Sequence, residues 1–177
     1  VLVKGGTFNA DINRQHWSNE VVVPETHYTV ANADGTYTVK EGAVAYVNEG
    51  MLTGPYFIRK NIGYATLAEA IAEVDTDETV TMLQDVTLDD DLVIEEGMDV
   101  TINGEGKTIT GCDGKDVFYV KGGKLTLTEG LNVHATTDCA IYLRGGDVFT
   151  AANLTKSGDK YSVIQGNGNY AGNVTIT

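Results

Sequence analysis

The chain has 177 residues, 42% of them apolar, which is long enough for one sizeable core or two small ones and is not typical of a disordered protein. Its 12 basic and 25 acidic residues give a formal charge of −13, which opposes binding to phosphate backbones and to anionic lipid surfaces. No apolar stretch approaches the roughly 18–20 residues needed to cross a bilayer. We therefore expect neither a nucleic-acid partner nor membrane insertion.

The first eight residues carry a pattern that returns later in the chain. An apolar strand, a basic residue and a Gly-Gly pair occur at 1–6 and again at 120–123 and 143–146. The chain begins at Val1, in the middle of this coil pattern, so we expect an excised piece of a larger protein in which residues 1–8 end a preceding copy of the same module. The alternative is chance similarity between short glycine-containing strands. Residues 9–26 are polar and irregular and include His16 and Trp17.

Residues 28–39 predict a β-hairpin. Tyr28-Thr29-Val30 and Tyr37-Thr38-Val39 alternate aromatic and β-branched residues around an Asp34-Gly35 turn. Two further apolar runs, at 43–47 and 56–58, predict one or two more strands before Gly63.

One short helix is predicted at about residues 66–74. Thr66 and Glu69 have the spacing of a capping box, and Leu67, Ala70, Ile71 and Val74 form one apolar stripe. Standing just before the first strand of a stacked sheet, such a helix would cover the sheet's open end. We therefore divide the chain into residues 1–62, an N-terminal strand, irregular segment and hairpin region, and residues 63–177, a capping helix with a solenoid.

Two series of short apolar strands predict this solenoid. Runs at 117–123, 140–146 and 161–167 align without gaps at spacings of 23 and 21 residues, each being a strand followed by a tight turn. Between them fall runs at 100–102, 125–127, 148–150 and 174–176. Strands too short to bury a face alone become stable only when neighbouring coils stack on them. The expected fold is therefore all-β, a coiled parallel sheet.

The segments Gly63–Ile71, Glu78–Leu88 and Val100–Thr110 together resemble the capped start of right-handed parallel β-helices of the pectate-lyase-like superfamily. With the Gly-Gly-Thr-Phe run at 5–8 and the turn at 34–39, they resemble more narrowly the modules of large repetitive surface proteins of anaerobic, often gut-dwelling, Gram-positive bacteria. The resemblance implies the handedness, an extracellular or cell-surface location, and adjacent copies of the module as partners. Fold does not fix function, so it implies little about activity.

The resemblance raises the question of catalysis. Pectate-lyase-like enzymes use carboxylates that hold calcium with a basic residue, or several aspartates with a His. None of Arg14, Arg59 and Arg144 stands in such a motif, and the three histidines, at 16, 27 and 134, are isolated in sequence. This favours a non-enzyme without proving it, because a solenoid can bring distant residues onto one face.

Outward-facing aromatic residues are the best candidates for a binding surface. If Phe118 and Val120 point inward, Tyr119 and Tyr142 point outward, one layer apart at about 4.8 Å. They would present flat faces to sugar rings, with Lys121 and Arg144 meeting uronic or sialic acids, although Lys121 points inward unless the turn redirects it. The alternative is a structural ladder that only stabilises neighbouring strands.

The sequence offers two smaller candidate sites. Asp89, Asp90 and Asp91 lie in a turn whose oxygens suit structural calcium, against the alternative of a solvated turn, and no cofactor is otherwise expected. Cys112 and Cys139 are about one coil apart, but aligning the strands puts Cys139 opposite Asp116, so a disulfide is not indicated.

These features predict a non-enzymatic, extracellular surface module that acts as a spacer or an adhesin-like segment. Its expected partners are a host or cell-wall glycan or protein and adjacent copies of itself. The alternatives are a carbohydrate-binding module and a fragment of a polysaccharide lyase acting on acidic glycans.

Overall fold

The computed structural model describes residues 1–14, 21–53 and 56–177. The chain forms two compact units, Val1–Val74 and Asp75–Thr177. The division predicted at residue 63 concerns modules of the parent protein and stays a prediction.

The first unit contains a mixed sheet of five strands in the order β1-β3-β2-β5-β4. Only the β2–β5 pair is parallel among the pairs of these strands. The strands are β1 (Gly6–Phe8), β2 (His27–Ala31), β3 (Tyr37–Glu41), β4 (Ala45–Thr53) and β5 (Tyr56–Tyr64).

The hairpin predicted around Asp34-Gly35 is confirmed as β2 and β3. The Asn32 N–H donates to the Thr36 carbonyl at 2.7 Å, and Asp34 accepts from the Thr36 N–H at 3.0 Å. Gly35 has a φ of 83°, a conformation that glycine adopts without the steric cost of a Cβ.

The short helix is confirmed as α1 (Leu67–Glu73). The Glu69 N–H donates to the Thr66 hydroxyl and the Thr66 N–H donates to the Glu69 carboxylate, each at 3.1 Å, which completes the capping box. Leu67, Ala70 and Ile71 are buried, as the apolar stripe predicts. That the helix covers the end of a solenoid stays a prediction.

The first residues pair within the first unit. Gly6–Phe8 runs antiparallel to β3, with Thr7 opposite Thr38. Their origin in a preceding copy of the module stays a prediction, and His16 and Trp17 lie outside the described residues.

The second unit is a parallel β-solenoid of about four turns built from three sheets. Sheet 1 has the order β6-β9-β12-β15-β18, sheet 2 β7-β10-β13-β16 and sheet 3 β8-β11-β14-β17. The strands are β6 (Val80–Met82), β7 (Val86–Thr87), β8 (Leu92–Ile94), β9 (Asp99–Asn103), β10 (Thr108–Thr110), β11 (Phe118–Val120), β12 (Lys124–Leu127), β13 (Asn132–Ala135), β14 (Ile141–Leu143), β15 (Gly146–Thr150), β16 (Asn153–Lys156), β17 (Ile164–Gly166) and β18 (Gly172–Ile176). This confirms the all-β class and the coiled parallel sheet.

The interstrand register confirms most of the predicted alignment. In sheet 1, Leu125 pairs with both Val100 and Val148. In sheet 3, Phe118 pairs with Ile141 at the predicted spacing of 23.

The predicted spacing of 21 for the next coil is wrong. Ile141 pairs with Ile164 instead of Ser162, again 23 residues along. Side chains alternate with a period of two, so a shift of two residues keeps every inward position inward and the pattern cannot detect it.

Inward-facing side chains fill the solenoid. Phe118, Ile102, Leu125 and Ile141 have at most 1% of their surface exposed. Each inward strand position stacks on the same position of the next coil, so the core is a set of apolar columns along the three sheets.

The Gly-Gly turns bring neighbouring coils unusually close. A Cβ on Gly146 would lie 2.0 Å from the carbonyl oxygen of Gly123, and the φ of Gly146 is +81°. The Asp147 N–H donates to that same carbonyl at 3.0 Å. Glycine is required at 146 both by its conformation and by the coil beneath it.

Both cysteines are free. The Cys139 N–H donates to an Asp116 carboxylate oxygen at 2.9 Å, which confirms that Cys139 lies opposite Asp116.

Candidate functional site: the tyrosine face

Sheet 3 positions the two predicted tyrosines. Tyr119 and Tyr142 are partners in the β11–β14 register, and their strand neighbours Phe118 and Ile141 are buried. Because neighbours along a strand point to opposite faces, both tyrosines face outward and are half-buried. We call Tyr119, Tyr142 and Tyr170, with Lys121 and Arg144, the tyrosine face.

The rings of Tyr119 and Tyr142 meet edge to face. Their centroids are 5.5 Å apart and their planes make an angle of 69°. Such a pair is a favourable aromatic contact that stabilises adjacent coils. It does not form one flat platform, so a sugar ring would stack on one tyrosine at a time.

Arg144 joins three coils of the tyrosine face. Its Nη2 donates to the Tyr170 hydroxyl at 2.7 Å and its Nη1 to the Tyr119 hydroxyl at 3.4 Å, while the guanidinium carbon lies 4.8 Å from the centre of the Tyr170 ring. These hydrogen bonds, the one to Tyr170 first, raise the pKa of Arg144. The hydroxyl partners are neutral, so these contacts leave its positive charge uncompensated.

Lys121 is exposed and follows the buried Val120, so side-chain alternation alone turns it outward, and the expectation that it points inward unless the turn redirects it is wrong. Its Nζ donates to Glu95 Oε1 at 2.9 Å and lies 5.3 Å from the centre of the Tyr119 ring. An anionic ligand would have to compete with the Glu95 carboxylate for Lys121. At Arg144 the hydrogen-bond partners are tyrosine hydroxyls, so the ligand would not compete with a carboxylate in those contacts.

Sequence reasoning missed Tyr170. This residue lies in the turn between β17 and β18, outside the strand series, and reaches Arg144 across 26 positions. The alternation of side chains along a strand does not predict where a turn residue points. Only the register of the last coil would have placed Tyr170 next to Arg144.

Lys115 forms an ion pair with the acidic turn at residues 89–91. Lys115 Nζ lies 2.6 Å from Asp90 Oδ1 and 3.7 Å from Asp91 Oδ2. The hydrogen bond from Lys115 lowers the pKa of Asp90. Among residues 1–14, 21–53 and 56–177, no group of three or more His, Cys, Asp or Glu side chains is arranged to hold a metal ion. Calcium at Asp89, Asp90 and Asp91 stays a prediction.

His134 is less isolated than its sequence position indicates. In sheet 2, which was not predicted as a strand series, His134 pairs with Thr155. Its Nδ1 lies 3.0 Å from the Thr155 hydroxyl and its Nε2 3.0 Å from the Ser157 hydroxyl. These hydroxyls orient the imidazole and tie two coils together.

The remaining candidates for catalysis have local structural contacts. His27 is 4% exposed, with Nδ1 2.9 Å from the Thr26 hydroxyl. Arg59 donates to the Asn48 carbonyl at 2.9 Å. Arg14 belongs to a cluster of charges in the first unit, and His16 is outside the described residues.

Within the part of the chain that the structure describes, no helix has the length and apolar character to span a membrane. Comparison with known proteins finds no match among family models, curated proteins or solved structures.

Proposed function

We propose that this chain is a non-enzymatic extracellular module of a repetitive bacterial surface protein, and that its main role is that of a stiff spacer. The observation that supports this role is the unbroken in-register parallel pairing along three sheets. Each coil satisfies the backbone hydrogen bonds of the next, so bending or stretching the stack must break several interstrand hydrogen bonds at one coil interface.

The finer features of the proposal come from the sequence resemblance. The solenoid is a right-handed helix of the pectate-lyase-like type, α1 covers its first coil, and neighbouring copies of the module extend it. The same resemblance supports a location outside the cell.

Single-molecule force spectroscopy on the full chain tests the spacer role. We expect the second unit to keep its length at low force and then to lose its coils in steps, because the hydrogen bonds between coils lie along the axis and open one coil interface at a time. Gradual extension at low force would contradict the proposal. Circular dichroism on the same preparation would establish that the solenoid was folded before pulling.

A second function, binding of acidic glycans at the tyrosine face, is favoured by one specific observation. The Arg144 guanidinium is exposed, oriented by two tyrosine hydroxyls, and contacts no carboxylate in those bonds. An oriented guanidinium is well suited to a carboxylate of a uronic or sialic acid.

Glycan-array binding of the wild type, Arg144→Gln and the double variant Tyr119→Ala/Tyr142→Ala tests this second function. Lys160→Gln is a matched control, since Lys160 stacks on Tyr161 elsewhere on the solenoid. Loss of acidic-glycan binding in the first two variants alone would support the site. Unchanged binding in folded variants would remove it.

The enzymatic alternative has its own assay. If the chain is a fragment of a polysaccharide lyase, calcium-dependent formation of unsaturated products from acidic polysaccharide is expected. Glycan affinity without turnover would favour the binding module, and neither result would favour the spacer.

A further inference from the structure

The first unit contains an open cleft that the spacer role does not use. Its volume is about 390 Å³, near the lower end of the roughly 300–1,000 Å³ range of small-molecule sites. The charged and aromatic residues that line it are Asp11, Arg14, Tyr28, Tyr37, Tyr64, Glu69 and Glu73. Aromatic surface combined with both donors and acceptors distinguishes this cleft from an ordinary solvated depression.

Hydrogen bonds to neighbouring side chains hold Arg14 in place. Its Nη1 donates to Glu49 Oε2 at 3.0 Å, and its Nη2 donates to the Tyr64 hydroxyl at 2.7 Å and to Glu73 Oε2 at 3.1 Å. Glu49 and Tyr64 are only 7% and 8% exposed, whereas 40% of the Arg14 side chain remains exposed. A guanidinium fixed by buried partners loses little further conformational freedom when a ligand hydroxyl accepts from it.

The carboxylates of the cleft set its charge preference. Asp11, Glu69 and Glu73 supply three negative charges, and the single guanidinium is already paired with Glu49 and Glu73. Uronic and sialic acids would be repelled, whereas carboxylate oxygens accept hydrogen bonds from uncharged hydroxyls. This preference is opposite to that of the tyrosine face.

The aromatic residues supply an apolar surface. Tyr28 and Tyr37 lie on β2 and β3, line the cleft and are half-buried. One face of a pyranose ring carries C–H groups that pack on an aromatic ring, while its hydroxyls reach sideways to charged groups.

We propose that this cleft binds one neutral pyranose unit of a glycan. Vicinal hydroxyls donate to the carboxylates of Asp11 and Glu73 and accept from Arg14, and the ring packs against a tyrosine. The chain then carries a neutral-sugar site in its first unit, separate in sequence and in charge preference from the tyrosine face.

NMR titration of the full chain with methyl α-glucoside, methyl α-galactoside, methyl α-mannoside and methyl glucuronide tests the proposal. We expect at least one neutral glycoside to shift the amide signals of residues around Arg14 and Tyr28, with weak affinity, and the glucuronide to leave them unchanged. No shift with any neutral probe, or equal binding of the glucuronide, would overturn the proposal. Glucosamine serves as a cationic probe in the same titration, and its binding without binding of any neutral glycoside would also overturn the proposal.

Matched variants locate the site. Asp11→Asn removes a charged acceptor and should weaken binding about tenfold or more. Asp113→Asn makes the same change at an exposed residue of the second unit and should leave the affinity unchanged. Tyr37→Ala should weaken binding while Tyr46→Ala, at another half-buried tyrosine of the same unit, should not. If Tyr37→Ala does not fold, the aspartate pair still decides, and equal affinity of Asp11→Asn and wild type would refute the assignment.

Discussion

Replacing Gly146 by alanine should destabilise the solenoid more than its backbone conformation alone requires. An L-residue in the left-handed region costs about 1–2 kcal/mol. The added Cβ would also lie 2.0 Å from the Gly123 carbonyl oxygen, and that oxygen belongs to the backbone of the preceding coil, which cannot rotate away. Overpacking of this kind costs typically about 1–3 kcal/mol more. The expected total is therefore about 2–5 kcal/mol.

Gly106→Ala separates the two contributions. Gly106 has nearly the same φ, +80° against +81°, but a Cβ there would meet nothing within 4 Å. This variant should lose only the conformational part, about 1–2 kcal/mol. Urea denaturation followed by far-ultraviolet circular dichroism measures both variants, and an unchanged m-value shows that the same structure unfolds. If the two variants differ by less than about 0.5 kcal/mol, the close approach of the coils does not contribute as argued.

Three further predictions follow from burial. Phe118→Ala should lose about 3–5 kcal/mol of unfolding free energy, because Phe118 is buried. Phe149→Ala, at a residue 39% exposed, should lose about 1 kcal/mol or less. Equal losses in urea denaturation would contradict the assignment of Phe118 to the inward face and Phe149 to the outward face. Burial raises the pKa of Cys139 to about 12, so mass spectrometry after alkylation at neutral pH should find Cys112 labelled first. Burial also raises the pKa of Asp116, so the folded state binds the carboxyl proton more tightly than the unfolded state and stability falls as pH rises through the folded pKa. Asp116→Asn should flatten this dependence. Identical profiles of unfolding free energy against pH for the variant and the wild type would refute the prediction.

The sequence predicted those parts of the fold that depend on local chemistry. The Thr66–Glu69 capping box and the Asp34-Gly35 turn are each complete within a few residues, and both are confirmed. Four of the five strands of sheet 1 were also predicted as one series, because each carries two apolar residues; its first strand, Val80–Met82, was not aligned with them. The three-residue inward and outward pattern around Phe118 likewise placed Tyr119 opposite Tyr142.

Sheet 2 was not predicted as a series because its strands carry little apolar signal. Its first strand, Val86–Thr87, has only two residues, and its last, Asn153–Lys156, has a single apolar side chain. Its register is set by hydrogen bonds between coils, which one coil's sequence does not reveal. The same holds for the contact of His134 with Ser157, which depends on that register.

The tyrosine face shows a similar limit. Register fixes which residues are neighbours, but ring planes are set by packing and by partners such as Tyr170 that lie in turns. The sequence predicted that Tyr119 and Tyr142 stack, whereas their rings meet edge to face. Arg144 donates hydrogen bonds to Tyr119 and Tyr170 beside them.

Coil length varies at the corners of the solenoid, whereas the strands keep their register. Phe118 is 26 residues beyond its partner Leu92 but 23 before its partner Ile141, and Leu125 and Val148 are 25 and 23 residues beyond theirs. The difference is absorbed by corner segments such as 112–116. Lys115 and Asp116 contact neighbouring coils there, so residues are better added at a corner such as 158–161, between β16 and β17. This architecture would therefore accept a grafted epitope or an affinity tag at a corner, which makes it a scaffold for displaying foreign peptides at regular intervals.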